Sequence, residues 1–489
     1  MSAYLELESR FRRIAALNEA VGMLHWDMSV LMPTGGASAR AEQLAALKLT
    51  IHEMKTSTEF HDLLEAAESD VLDGSWQRAN LREMRRSWVH ANAVDADLVE
   101  AMTRASSACE MVWREARSEN DFAKVLPYLE EVLKLSQEAG KAKSVALECS
   151  VYEALLDQYE PGGRTKQIDD LFADLVSFLP DFLETALAKQ AEQGEAIAPV
   201  GPFDADRQCN LGRHLMQVLG FDFGAGRLDV SLHPFCGGVP GDIRITTRYG
   251  EDDFTQSLMG VLHETGHALY EMGLPEEWRY QPVGAARGMV LHESQSLLIE
   301  MQACRSREFL SFAAPLMREA FGGTGLEWKH ENLYRLYTHV KPSFIRVDAD
   351  EVTYPAHVIL RYRLERALID DQLALVDLPD AWNSGMVDLL GVRPPDDMQG
   401  CLQDIHWYDG AWGYFPTYTL GAMAASQLFA AAKVAHPDIP EMISRGDFGL
   451  LVGWMRNNIH ATGSSKTSND ILLAATGKPL GVDDFKAHL

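Results

Sequence analysis

The run His263-Glu264-Thr265-Gly266-His267 sets two imidazoles four residues apart with a carboxylate between them. On a helix, residues at that spacing stand about 40° apart in projection and one turn apart along the axis. Both rings can therefore bind one tetrahedral ion such as zinc. Glu264 lies about 100° round from His263, poorly placed as a third ligand and well placed to reach a water on the ion. Val261, Leu262, Ala268, Leu269 and Met272 gather on the opposite side, so the helix is expected to bury that stripe and turn its ligands into a cleft. An amphipathic surface helix with two solvated histidines would show the same five residues, so the surroundings have to discriminate.

A catalytic zinc takes three protein ligands and keeps one position open for water. A histidine three residues past a glycine is one source of the third ligand, but Leu269 and Tyr270 follow Ala268 and no histidine appears before His292. A glutamate from a later helix is the other. Glu293 lies in VLHESQSLLIEM, which has helical apolar spacing, and Glu300 follows one heptad later on the same expected face. His292 is chemically possible as well. Spacing points to this segment and leaves the three open.

The elements that must position these groups read as mostly helical. Before residue 190, apolar residues recur at steps of three and four, with breaks at Pro33 to Gly36 and at Pro161-Gly162-Gly163. Gln193 to Asp206 is looser, either an inter-helix loop or a subdomain junction. After Phe221, LDVSLHPF and DIRITTRY alternate as strands on either side of the turn-like CGGVPG, which predicts a hairpin and a small antiparallel sheet near the middle of the chain. Helical spacing resumes near Phe254 and runs to the end, interrupted by FGGTG and GVRPPDDMQG, with no internal repeat.

Composition narrows the function class. At 489 residues and 46% hydrophobic content the chain is globular. The excess of 71 Asp+Glu over 44 Lys+Arg gives a net charge of -27, which argues against a general nucleic-acid binder. No uncharged apolar run reaches the roughly 18 residues of a membrane span. The N-terminal MSAYLELESRFRRIAALNEA is charged and amphipathic and lacks the apolar core of a secretion signal. Six scattered cysteines form no CxxC pair. A cytoplasmic protein is the expectation.

Several motifs in order make the chain resemble the carboxypeptidase Taq family of zinc metallocarboxypeptidases. They are HPF at His233-Pro234-Phe235, DxRxT at Asp242 to Thr246, HExxH at His263 to His267, HES at His292-Glu293-Ser294, IRxxAD at Ile345 to Asp350 and GxxQDxHW at Gly400 to Trp407. Leu24 to Ala45 also looks like the family's opening, so the similarity covers nearly the whole chain as one catalytic unit over residues 1–489. Within it, 1–200 is an N-terminal helical part and 201–489 bears the zinc. The resemblance implies a mainly α zinc-peptidase fold with a deep substrate groove, a homodimer, and one zinc per chain held by His263, His267 and Glu293. Glu264 would be the general base and then the acid. Cobalt can substitute at such a site.

Other roles follow from what the reaction needs. A tetrahedral intermediate calls for a hydrogen-bond donor, and His406 and Tyr414, in GCLQDIHWYDGAWGYFPTYTLG, are the candidates. Trp407, Tyr408, Trp412, Phe415 and Tyr414 itself equally suit a core. An exopeptidase must also hold the free C-terminal carboxylate, for which a guanidinium fork is suited. Arg346 is the first candidate, with Asp348 or Asp350 as partners if it only braces the fold. Arg244 and Arg248 of DIRITTRY are weaker candidates, and His233, on backbone held extended by Pro234, is another possible contact. The expected activity is removal of C-terminal residues from peptides with broad specificity. The alternatives are a zinc oligopeptidase that cuts internally and a non-catalytic helical binding protein.

Overall fold

The computed structural model describes residues 2–70, 72, 74–231 and 233–489. Leu232, inside the predicted first strand of the hairpin, lies outside the described residues. Helices take up 69% of the chain, and the sheet among the described residues has three strands, so the fold is mainly α as expected. None of these helices is long and apolar enough to cross a membrane. All six cysteines are free.

The chain packs as two compact units. The first comprises Met1–Ala91, Ala196–Tyr337 and Gly421–His488, the second Asn92–Glu195 and Thr338–Leu420 together with Leu489. One crossing from unit to unit falls inside the loose stretch that begins at Gln193.

In the first unit, helices α1 (Ala3–Val30) and α2 (Ala37–Thr56) pack on each other. Their apolar faces, with Tyr4, Leu7, Phe11, Ile14 and Ile51, close a core with Phe60, Leu64, Leu81 and Met84. The sheet is formed by β1 (Gly226–Val230), β2 (Phe235–Val239) and β3 (Asp242–Thr247) in the order β1-β3-β2. It corrects the predicted antiparallel sheet in one respect. β2 and β3 form an antiparallel hairpin, Phe235 opposite Thr246 and Val239 opposite Asp242. β1 instead runs parallel to β3, Gly226 beside Ile243 and Val230 beside Thr247. The sheet is mixed because CGGV, read as a turn, is itself strand. Gly238 makes this possible: its φ is +90°, and a Cβ there would come within 2.1 Å of the Asp242 carbonyl oxygen. Ile243 and Ile245 alternate with Arg244 and bury against Leu228, Val261 and Ala268, seating the sheet on helix α3 (Thr255–Gly273).

Helix α3 carries the HExxH motif. Asp253 accepts hydrogen bonds from the Thr255 amide at 2.7 Å and from its hydroxyl at 2.6 Å, occupying donors at the helix start. Pro275 follows the last turn and prevents continuation. Val261, Leu262, Ala268 and Leu269 are buried as expected, but so are Leu258, Thr265, Gly266 and Tyr270. α3 is a central helix covered on most sides rather than an amphipathic one.

Candidate metal centre

The two motif histidines meet a carboxylate from the next helix. His263 Nε2 lies 4.0 Å from Glu293 Oε1, and His267 Nε2 lies 3.6 Å from Glu293 Oε2. Each of the three residues offers a donor atom within 4.8 Å of the other two. Donors set ~2.1 Å from one tetrahedral ion would be ~3.4 Å apart, so the pocket is slightly wider than a loaded zinc site and of the right order. Two imidazoles and one carboxylate are the donor set of a catalytic rather than a closed structural site. A divalent cation fits here.

Glu293 sits on α4 (Gly288–Leu297), which continues directly into a π-helical stretch, Leu298–Cys304. A π turn takes more residues than an α turn, so it changes the direction in which Glu300 emerges. Glu300 accordingly does not share the face of Glu293. Its Oε2 faces His263 Nδ1 at 2.8 Å and its Oε1 pairs with Arg305 at 2.5 Å. That contact fixes the ring and leaves His263 Nε2 turned toward Glu293. His292 is occupied differently. Its Nε2 meets Glu271 at 2.9 Å, and its ring stacks on that of His267 with centroids 4.6 Å apart. The structure thus brings His263, His267 and Glu293 together and gives the two rival ligands other partners.

The electrostatics suit a cation. Burial alone would depress His263, but its hydrogen bond to Glu300 and the charges of Glu293, Glu300 and Glu264 outweigh it and raise the ring to about 10. Burial works against ionised Glu300 too, yet Arg305 and His263 hold its carboxyl down to about 2. Burial depresses His267, helped by the neighbouring His292 and His263. Glu264 is 8% exposed and pushed up to about 7 by burial, against the pull of His263.

Two glycines that sequence reasoning passed over set the helix spacing. A Cβ on Gly266, inside the motif, would lie 2.5 Å from the Gln295 carbonyl oxygen and from Ser296 Cα, so only glycine lets α3 approach α4 this closely. On the helix Pro416–Ala435, a Cβ on Gly421 would lie 2.7 Å from Glu293 Cβ. Gly266 was visible as part of the motif, whereas nothing local marked Gly421. We predict that Gly421→Ala weakens metal binding at least tenfold by displacing Glu293, with the helical circular-dichroism spectrum retained. Metal titration against a chromogenic chelator reads it, and unchanged affinity would exclude the contact as a constraint.

The ligand assignment has its own test. Glu293→Ala is expected to lose metal on dialysis. Glu300→Ala should retain it with affinity reduced about 10- to 100-fold, the usual effect of removing a group that orients a ligand. Elemental analysis decides, and the reverse order of loss would exchange the two roles.

The remaining predicted residues fall in two places. In the first unit, Arg244 donates to Asp242 from Nε at 2.9 Å and from Nη2 at 2.6 Å, with its guanidinium 4.4 Å from the Trp26 ring centroid. His233 is exposed, and its carbonyl oxygen accepts from Ser231 Oγ at 2.5 Å.

In the second unit, Arg346 is buried and donates through Nε and Nη2 to Asp404, the latter at 2.8 Å, and through Nη1 to the Tyr354 hydroxyl at 3.2 Å. Its partner is Asp404 of the GxxQDxHW motif, not Asp348 or Asp350. Asp350 is taken up by the amides of Lys341, Val352 and Thr353. Arg361, fully buried, also donates to Asp404, from Nε at 2.7 Å, and to Gln403. Two guanidiniums on one carboxylate leave a surplus positive charge at this cluster. His406 Nε2 lies 3.3 Å from the Tyr418 hydroxyl, and burial pushes His406 down to about 4, so the ring is neutral near pH 7. The Tyr414 ring lies 5.6 Å from His406 and edge-on to Tyr159. Trp407, Tyr408, Trp412 and Phe415 are buried core residues, as their types suggested. Arg361, Tyr354 and Tyr418 were missed, since nothing in their local sequence separates them from core.

Comparison with known proteins gives one result throughout. The profile of the carboxypeptidase Taq (M32) metallopeptidases matches residues 6–489. Thermostable carboxypeptidase 1 of Thermus thermophilus is 37% identical over an alignment covering 100% of this chain and 98% of that protein. Carboxypeptidase 1 of Bacillus subtilis is 34% identical, covering 96% and 94%. Among solved structures, Trypanosoma cruzi metallocarboxypeptidase 1 superposes with a TM-score of 0.97 at 41% identity, covering 99% of this chain and 98% of that one. The M32 carboxypeptidase of Deinococcus radiodurans gives 0.93 at 33% identity, covering 100% and 98%.

Proposed function

We propose, on the premise that this chain belongs to the carboxypeptidase Taq (M32) family and is a metallocarboxypeptidase, that it trims peptides with a free C-terminus using zinc and Glu264. The observation that carries this reading is the convergence of His263, His267 and Glu293, with Glu264 beside them on the motif helix and outside the donor set. Bound by those three residues, zinc would supply Lewis acidity that makes water a nucleophile near neutral pH. Glu264 takes the proton from the attacking water and delivers it to the departing amine. Glu300 holds His263 in the tautomer that presents Nε2. His406, neutral and able to donate one N–H, and the hydroxyl of Tyr414 are the proposed donors to the oxyanion.

Arg346 is the proposed holder of the terminal carboxylate. Asp404 occupies the Nε and Nη2 edge of its fork, while Nη1 meets only a neutral hydroxyl and can take a further oxygen. His233 and Arg244 are retained as lesser contacts to substrate, Arg244 the weaker because Asp242 and Trp26 already engage it. We further propose that residues 1–489 act as one catalytic unit, that specificity is broad, and that the protein is a cytoplasmic homodimer.

Mass spectrometry of a peptide digest tests the function. A ladder from the C-terminal end, abolished by a chelator and by C-terminal amidation, is expected. Internal cuts indifferent to amidation would make the protein an oligopeptidase, and cleavage that survives complete metal removal would refute the metal mechanism.

A further inference from the structure

A cavity of about 780 Å³ lies entirely within the first unit. It is walled by α1, the end of α2, the last turn of α3 and the segment after it. None of His263, Glu264, His267 and Glu293 lines it. Phe11, Ile14 and Met272 supply apolar surface, and Lys55 and Glu271 are among seven charged residues, three cationic and four anionic, in its walls. Lys55 is partly buried, and among the described residues its ammonium has no hydrogen bond or ion pair. Burial lowers its pKa. Arg279 in the same wall is by contrast engaged by Glu19 at 3.5 Å and by the face of Tyr280. Glu271 gives one oxygen, Oε1, to His292.

An unpaired ammonium in the wall of a cavity costs stability unless a ligand anion meets it. Because Lys55 and Glu271 form no ion pair with each other, a ligand satisfying both must span the space between them, with a negative group at one end and a positive group at the other. The volume suits a molecule of several hundred daltons, and the walls are part apolar, with seven charged side chains of both signs. We propose that this cavity is a second, non-catalytic site for a zwitterionic di- or tripeptide, its terminal carboxylate on Lys55 and its terminal ammonium toward Glu271. The proposal deepens the metallocarboxypeptidase reading by assigning a further site to the same class of molecule. Its test requires no turnover.

Isothermal titration of leucyl-phenylalanine into chelator-treated protein carrying Arg346→Ala removes both the metal and the proposed carboxylate holder from consideration. One site per chain is expected to remain. Adding Lys55→Met should weaken it at least tenfold, and the C-terminal amide of the same dipeptide should bind as poorly to the parent as the free dipeptide binds to the Lys55→Met protein. Lys55→Met keeps the aliphatic stem and removes an unpaired charge, so its thermal midpoint should match or exceed that of the parent. In otherwise wild-type, metal-loaded enzyme it should leave kcat unchanged. Ala15→Phe, which intrudes on the cavity, should reproduce the loss of binding independently. No binding to the Arg346→Ala protein, or equal binding with and without Lys55→Met, would overturn the site. Because the binding is read on metal-free protein, failure of the peptidase mechanism leaves it standing, and its own failure leaves the mechanism untouched.

Discussion

Glu264→Gln is expected to retain a full complement of metal and to lose turnover by about 10² to 10⁴, the range for removal of a general base. That corresponds to about 3 to 5 kcal/mol on the barrier. The amide keeps the size and the burial of the side chain. It lies outside the trio of donors that converge from α3 and α4, so the metal should not notice the change. What the amide removes is the ability to accept a proton from water and pass it to the leaving amine. Because the loss falls on chemistry, kcat and kcat/KM should drop together while KM stays near its wild-type value. Elemental analysis beside steady-state kinetics reads both halves. Full metal content with near-normal kcat would remove Glu264 from the mechanism.

Arg346→Ala is expected to lower kcat/KM for free-ended peptides by about 2 to 5 kcal/mol, the cost of breaking a desolvated charge pair. Metal content should be unaffected, since Arg346 offers no donor to the metal. The surroundings of Arg346 sharpen this expectation. Asp404 is shared with Arg361, so the carboxylate is not left alone when Arg346 is removed. The surplus positive charge of the cluster disappears instead. Lysine should recover only part of the loss, because it supplies charge without the planar fork. If Arg346 merely braced Asp404, the variant would lose thermal stability, recover activity at lower temperature and still discriminate against amidated peptides. A folded Arg346→Ala protein that trims free-ended peptides at the wild-type rate would show that another group holds the carboxylate.

The candidate site was legible in the sequence wherever its geometry depends on neighbours in the chain. The i, i+4 spacing of His263 and His267 places both rings on one helical face whatever surrounds the helix, and Glu264 is displaced from that face for the same reason. Alternation in DIRITTRY likewise identified β3, because the two faces of a strand are set by its own pleat. The mainly helical character followed from apolar spacing repeated over many turns.

Other features depended on contacts between segments far apart in the chain. Glu293, Glu300 and His292 were equivalent by spacing. They were separated by a π-helical stretch that re-aims Glu300 onto His263 and by Glu271, which engages His292. Gly421 reads as an ordinary helix residue until its lack of a side chain proves to make room for Glu293. Arg346 had acidic neighbours two and four residues along, yet it pairs with Asp404, 58 residues away. The parallel placement of β1 could not be inferred from alternation, which is the same for either strand direction. Local sequence determined which groups can act and which face of their own element they occupy. The tertiary structure decided which partners they meet, because that choice depends on packing distances and helix phase set by residues remote in the chain.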